Sequence, residues 1–163
     1  MQIKFKKIHP NAVLPKQGKL GDAAFDLCCV EDFSLNEGER KLVSTGLQLA
    51  SMPEQPPWQN GFSLFLQIEG RSGLAARGII PLGGIIDATY RGEIKVILQN
   101  LNNTPNVNRN VLAEHFKAGD RIAQLLVRVI LTNDSTRSMV EMVEAEEVTE
   151  TTRGDAGFGS TGR

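Results

Sequence analysis

Alternation with a period of two constrains this chain more than any other feature. Phe62, Leu64, Leu66 and Ile68 interleave with Ser63, Phe65, Gln67 and Glu69. Ile94, Val96 and Leu98 interleave with Lys95, Ile97 and Gln99, and Ile3 and Phe5 with Lys4 and Lys6. Successive side chains of an extended chain point to opposite faces, so each run is a strand with one apolar side. Residues 121–130 are apolar on both faces, which predicts a strand covered on both sides. Breakers separate the runs at Gln17-Gly18, Glu37-Gly38, Asn60-Gly61, Gly83-Gly84 and Ala118-Gly119-Asp120. Many short strands with regular turn signals predict an all-β sandwich or barrel. Only one stretch reads as helix, residues 72–77, with Ser72 placed to cap Leu74-Ala75-Ala76.

With 163 residues the chain fits one domain. Two segments read as surface loops: 51–60, with three prolines and the only tryptophan, Trp58, and 101–110, with five asparagines. Residues 141–150 hold five glutamates and no base, and the last eleven residues hold four glycines and a single bulky apolar side chain, Phe158. We therefore expect a β domain over 1–150 and a flexible arm over 151–163. The net charge of −1 supplies no global basic field for nucleic acid, so any phosphate site is local. The first nineteen residues nevertheless carry five lysines and no acid, read as a solvated face. No apolar run reaches the roughly 20 residues of a membrane span, and the N-terminus lacks a signal-peptide core. The two cysteines, Cys28 and Cys29, are adjacent, a poor geometry for a bridge. A cytoplasmic protein without a structural metal is the simplest expectation.

Five strings carry chemistry. In Gly84-Ile85-Ile86-Asp87-Ala88-Thr89-Tyr90-Arg91-Gly92 an acid interrupts an apolar region. Asp87 fits either a carboxylate that orients and deprotonates a water or a turn aspartate bonding its own backbone. Tyr90 is the only tyrosine and would otherwise read as a half-buried strand aromatic. Gly70-Arg71-Ser72-Gly73-Leu74-Ala75 offers a cation, a hydroxyl and free N–H groups for a phosphate, or simply a capped helix with a surface arginine. Ala24-Phe25-Asp26-Leu27 offers a carboxylate near which magnesium could be held. In Gly119-Asp120-Arg121-Ile122-Ala123-Gln124-Leu125, Asp120 and Arg121 suit an ion pair, and Gln124 requires partners if buried. The last string, from Arg153 to Gly162, joins Arg153, Ser160 and Thr161 to a lone Phe158, donors for phosphate beside a ring that stacks on a base.

Taken in their order along the chain, the five strings resemble the homotrimeric dUTP pyrophosphatase (dUTPase) family over essentially the whole chain. The resemblance implies a distorted jelly-roll β-barrel with one short helix, a trimer with three active sites at subunit interfaces, and magnesium-assisted hydrolysis of dUTP to dUMP and pyrophosphate. By match of motif, Asp87 would orient the water that attacks the α-phosphate. Tyr90 would pack under the deoxyribose, where a 2′-hydroxyl would clash. The backbone around Gly84, Ile85 and Ile86, with Lys95, would read the uracil edge. Arg71, Ser72, Gly73 and Gln124 would contact the phosphates, and Asp26 a water of Mg2+. Phe158 and Gly159 would cover the uracil, while Arg153, Ser160 and Thr161 close over the γ-phosphate from a neighbouring subunit.

The chain departs from the family pattern at three places. Gly70 stands where proline is common, Pro81 where some members put a base-reading asparagine, and Ala156 where glycine is common. Two other readings share the scaffold. A dCTP deaminase would carry a further glutamate near the base pocket. A non-catalytic nucleotide sensor would have lost its chemistry, against which Asp87, Tyr90 and the complete last string argue. A regulatory protein partner in addition to catalysis stays open.

Overall fold

The computed structural model describes residues 2–53, 62–102, 113–134, 137–138 and 142–144. Among the described residues it holds eleven strands and one short helix. The strands are β1 (Lys4–Lys7), β2 (Phe25–Cys28), β3 (Phe33–Asn36), β4 (Arg40–Ser51), β5 (Phe62–Glu69), β6 (Ile79–Leu82), β7 (Ile85–Ile86), β8 (Glu93–Asn100), β9 (Ala113–Phe116), β10 (Arg121–Asp134) and β11 (Arg137–Ser138). The helix α1 spans Ser72–Ala75.

One sheet runs β1-β4-β8-β6; the other runs β11-β10-β5-β7, with β2 also on β10, and β3 pairs β9 separately. The period-two pattern decides which side chains go in. Leu64, Leu66 and Ile68 of β5 are buried, as are Ile94, Val96 and Leu98 of β8. They join Leu47, Leu49, Ile122 and Leu125 in one apolar cluster fed by both sheets, with Ile3 and Phe5 packed against it. Asn100 continues the inward row of β8 and is buried. It is satisfied: its amide donates to the Leu35 carbonyl at 3.1 Å, and its oxygen accepts from Asn102 N and Nδ2 at 3.1 and 2.8 Å.

Two expectations need correction. The segment 121–130 is covered on both sides only at its start. Ile122, Ala123 and Leu125 are buried, whereas Val129 and Ile130 are 55% and 43% exposed. Adjacent residues of a strand face opposite sides, so both faces of β10 are open at 129–130, beyond the end of its pairing with β2 at Leu125. The helix is one turn, shorter than 72–77, and its N-cap is Arg71, with no side-chain cap hydrogen bond. Ser72 is already inside the helix, so its hydroxyl is not needed by the backbone. The arm 151–163, most of the acidic stretch, most of both expected loops and the Asn60-Gly61 turn lie outside the described residues.

Candidate active site

The string 84–95 folds into one depression. Gly84, Ile85, Ile86, Asp87, Tyr90, Glu93 and Lys95 line a pocket of about 520 Å³ together with Leu42, Ile68, Leu82 and Ile97. Its rim depends on Gly84, at φ 121°, where a Cβ would lie 2.7 Å from the Ile68 carbonyl oxygen. Only glycine takes this conformation at this approach. The exchange is productive: Ile68 N donates to Gly84 O at 2.8 Å, and β7 then pairs with β5 through Leu66–Ile86 and Gln67–Ile85. Ile86 is buried and Ile85 is 65% exposed, so the two isoleucines separate into floor and lip.

A turn follows, closed by Tyr90 N donating to Asp87 O at 3.0 Å. Arg91 buttresses it by donating to the carbonyls of Ala88 and Tyr90 at 2.7 and 2.9 Å. The turn therefore consumes the Asp87 carbonyl and leaves its carboxylate exposed at the pocket, without a hydrogen bond among the described residues. Tyr90 sits in this turn rather than in a strand, and is 45% exposed. Its hydroxyl donates to Glu93 O at 3.1 Å. The ring folds back over Gly92, where any Cβ would collide with the phenol.

Glu93 is the residue that sequence reasoning missed. One of its carboxylate oxygens accepts from Gly46 N at 3.0 Å, and the other lies 3.4 Å from Lys95 Nζ. Gly46 sits at the register break between Ser44 and Leu47 of β4. No local signal announces a contact between residues 46 and 93, since it exists only once β4 pairs β8.

The other strings meet elsewhere. Arg71 Nε lies 3.3 Å from one oxygen of Asp26, and Arg121 Nη1 lies 3.3 Å from the other. Arg71 also donates to the Arg121 carbonyl at 3.0 Å. Arg121 thus pairs with Asp26 and not with its neighbour Asp120, whose carboxylate instead accepts from Lys117 N at 2.7 Å. Gln124 is half-buried and sits in register between Asp26 and Glu69. Ser72 and Gly73 are exposed on α1 beside this cluster. Arg71 and Arg121 border a depression of about 210 Å³ with Arg77, His115 and Asp120. That depression and the Asp87 pocket have no residue in common.

The turn before Arg121 is held from outside. Asp32 accepts from Lys117 Nζ at 2.7 Å and from Ala118 N at 2.8 Å. The Lys117 ammonium, then the Ala118 amide, hold the Asp32 carboxyl below the usual aspartate range. Cys29 N donates to Asp120 O at 3.0 Å and Gly119 N to Cys29 O at 2.8 Å. Both cysteines are free, and burial is the main cause that pushes each thiol above its usual value. Among the described residues no three His, Cys, Asp or Glu side chains gather as a metal cage. Arg153, Phe158, Gly159, Ser160 and Thr161 lie outside the described residues.

Comparisons with known proteins agree with one another. A family model described as dUTPase matches residues 10–162. A deoxyuridine 5'-triphosphate nucleotidohydrolase of Wolinella succinogenes is 46% identical over 168 residues, spanning 100% of this chain and 95% of its own. That of Nautilia profundicola is 38% identical and spans 100% of both chains. Among solved structures, a mutant dUTPase of Staphylococcus bacteriophage 80alpha with dUpNHpp superposes with a TM-score of 0.76, at 23% identity over 99% of both chains. A mutant dUTPase of phage phi11 of S. aureus, which coordinates a structural Mg(II) ion, does so with a TM-score of 0.70, at 21% identity over 92% of this chain and 100% of its own. These two likenesses make the packed sheets the jelly-roll-like β fold of dUTPases. On the strength of the family model and the full-length relatives, the chain belongs to the dUTPase family.

Proposed function

We propose that this protein hydrolyses dUTP to dUMP and pyrophosphate, withdrawing dUTP from DNA synthesis and supplying dUMP for thymidylate formation. The observation that carries the reading is the single pocket where Gly84, Ile85, Asp87, Tyr90 and Lys95 meet, in a chain whose relatives are named for this reaction. Ile85 and Ile86 flank the base, with the backbone of residues 84–86 and Lys95 at its polar edge. Tyr90, propped over Gly92, fills the space that a 2′-hydroxyl would need. Asp87 takes a proton from a water whose oxygen bonds to the α-phosphorus, while the bond from that phosphorus to the bridging oxygen breaks and pyrophosphate leaves. Its carboxylate is free for this because the turn uses only its carbonyl.

Arg71, Ser72, Gly73 and Gln124 bind the phosphate chain. The donor set fits Mg2+ held by the triphosphate, which needs few protein carboxylates. Both Asp26 oxygens already face arginines, so Asp26 serves by accepting from a metal-bound water rather than by direct ligation. When bound, the ion neutralises phosphate charge. Because the pocket and the phosphate cluster occupy separate depressions, we read the active protein as a homotrimer whose sites draw on neighbouring subunits. Exposed Val129 and Ile130 suit a subunit contact. The domain 1–150 forms the body, and the arm 151–163 closes a neighbour's site through Arg153, Phe158, Gly159, Ser160 and Thr161. We place the protein in the cytoplasm; among the described residues no helix is long and apolar enough to cross a membrane.

The test is to supply dUTP and dCTP separately and to measure pyrophosphate and ammonia. Pyrophosphate from dUTP alone is expected. Ammonia from dCTP would turn attention to Glu93, the glutamate of the pocket, whose two oxygens are otherwise committed to Gly46 and Lys95.

A further inference from the structure

Four polar residues form a single row across the second sheet. Lys16 forms an isolated antiparallel bridge with Asp26. Asp26 stands opposite Gln124, and Gln124 opposite Glu69. Residues directly opposite one another across antiparallel strands present their side chains on one face. Lys16, Asp26, Gln124 and Glu69 therefore share a face, about 5 Å apart from one to the next.

Three of the four are occupied or accounted for. Asp26 gives one oxygen to Arg71 and the other to Arg121. Glu69 accepts from Gln67 Nε2 at 2.6 Å. Gln124 belongs to the phosphate cluster described above. Lys16 stands directly opposite a carboxylate, yet among the described residues no ion pair joins them, and the two carboxylate oxygens face Arg71 and Arg121. Among the described residues its ammonium has no acidic partner, and it is exposed. The charges that act on the Cys28 thiol, two residues along β2 from Asp26, are those of Asp26, Arg121, Arg71 and Lys16, so the ammonium belongs to the same electrostatic cluster.

Lys16 is also held in place. Its carbonyl accepts from Asp26 N at 2.9 Å. The loop after it is closed by Asp22, which accepts from Lys19 N at 2.8 Å through its carboxylate and from Gln17 Nε2 through its carbonyl. A lysine pinned at its backbone, next to a neutralised carboxylate and with three free donors, is built to meet an incoming anion.

We propose that Lys16 is a substrate-binding residue that donates to the terminal phosphates, extending the phosphate subsite past Asp26 on the side away from Gln124. The proposal rests on the dUTP-hydrolysing reading. It predicts a cation that senses the β,γ end of the substrate and is indifferent to the nucleoside.

The test compares the full-length wild type with Lys16→Gln and Lys16→Arg. In Lys16→Gln the KM for dUTP should rise about threefold to fivefold, the upper range of one exposed charge contact, and by more than any fall in kcat. Inhibition by pyrophosphate should weaken by a similar factor, and the dependence of KM on added KCl should become shallower. The affinity for dUMP, which lacks the terminal phosphates, should stay within about twofold of wild type on the same scale. Lys16→Arg should restore dUTP and pyrophosphate affinity. Unchanged KM and pyrophosphate inhibition in Lys16→Gln would overturn the proposal. So would an equal loss of dUMP affinity, which would mark Lys16 as a support of the loop. Calorimetric binding of inorganic tripolyphosphate separates the two readings. If wild type fails to hydrolyse dUTP, the functional reading falls, and Lys16 is still judged by whether Lys16→Gln weakens tripolyphosphate binding.

Discussion

The Asp87 pocket and the cluster of Asp26, Arg71 and Arg121 are built in opposite ways. The pocket comes mostly from one continuous stretch, residues 82–97, whose shape is imposed by backbone: a left-handed glycine, a two-residue strand and a tight turn. The Asp87 carboxylate is left free among the described residues. The cluster draws Asp26, Arg71 and Arg121 from three distant strings and closes them on one another before any ligand arrives. Substitution in the pocket should therefore change what happens to the ligand and little else. In the cluster it should disturb the protein's internal charge balance as well.

The sharpest contrast is at Asp87. Asp87→Asn keeps the shape and removes the base, and loss of a general base typically costs 10² to 10⁴ in rate. We expect kcat to fall by at least about 100-fold, with the melting temperature unchanged and dUTP still bound. Turnover near the wild-type value would exclude Asp87 as the base. Mixing this variant with Arg71→Ala extends the test. If one subunit's pocket works with another's cluster, some mixed sites contain an intact copy of each, and two inactive proteins regain activity once their subunits exchange. No recovery after demonstrated exchange would mean that each site is assembled within one chain.

Asp26→Ala should behave differently, because it removes both oxygens that face Arg71 and Arg121 and strands Arg71. The Arg71 side chain is only 25% exposed, and its Nε already lacks a well-aligned hydrogen bond. Leaving a largely buried donor without its partner costs about 1–3 kcal/mol, so denaturation should show a stability loss of that order alongside reduced activity. Loss of activity alone, at full stability, would show that the cluster is as free of structural duty as the pocket.

Tyr90→Ala returns to the pocket and isolates selectivity. Removing the ring opens the space beside the sugar, so the dUTP-to-UTP preference in kcat/KM should narrow by roughly tenfold. The fold should hold, since Tyr90 is 45% exposed and donates a single bond to a main-chain carbonyl. An unchanged ratio would move discrimination to another residue.

The same contrast explains what could be read from the sequence. Strands β5 and β8 were legible because alternation is local, and the pocket's residues were legible because they follow one another. The cluster was only half legible. Adjacency pointed Arg121 to Asp120, but register carries Arg121 to Asp26, 95 residues away in the chain. The Glu93–Gly46 contact was hidden for the same reason. The end of β10 misled in another way, since apolar residues read alike whether their own chain covers them or leaves them exposed as it does Val129 and Ile130. Helix α1 was overextended because Ala76 and Arg77 suit a helix, whereas the chain leaves it after one turn and passes through Gly78 at φ 81°.

The smallest expected effect tests how far the cluster's support extends. Asp32 and Lys117 are exposed, and their pair matters through the turn that precedes Arg121. The Asp32 carboxyl is held below its ordinary range, chiefly by Lys117. A depressed folded value means that the bound, charged form stabilises the fold at pH above the unfolded aspartate value. That contribution fades as pH falls from the ordinary aspartate range through the lowered folded one. Asp32→Asn should thus melt slightly below wild type at neutral pH, and the two curves should converge in acid, where the wild-type carboxyl is also neutral. Because the pair is solvent-screened, the gap should be small and should shrink with added salt. A gap that stays constant from neutral to acid pH would mean that the Asp32 charge does nothing for the turn. The Ala118 N–H bond, which an asparagine oxygen can still accept, would then be what holds the approach to Arg121.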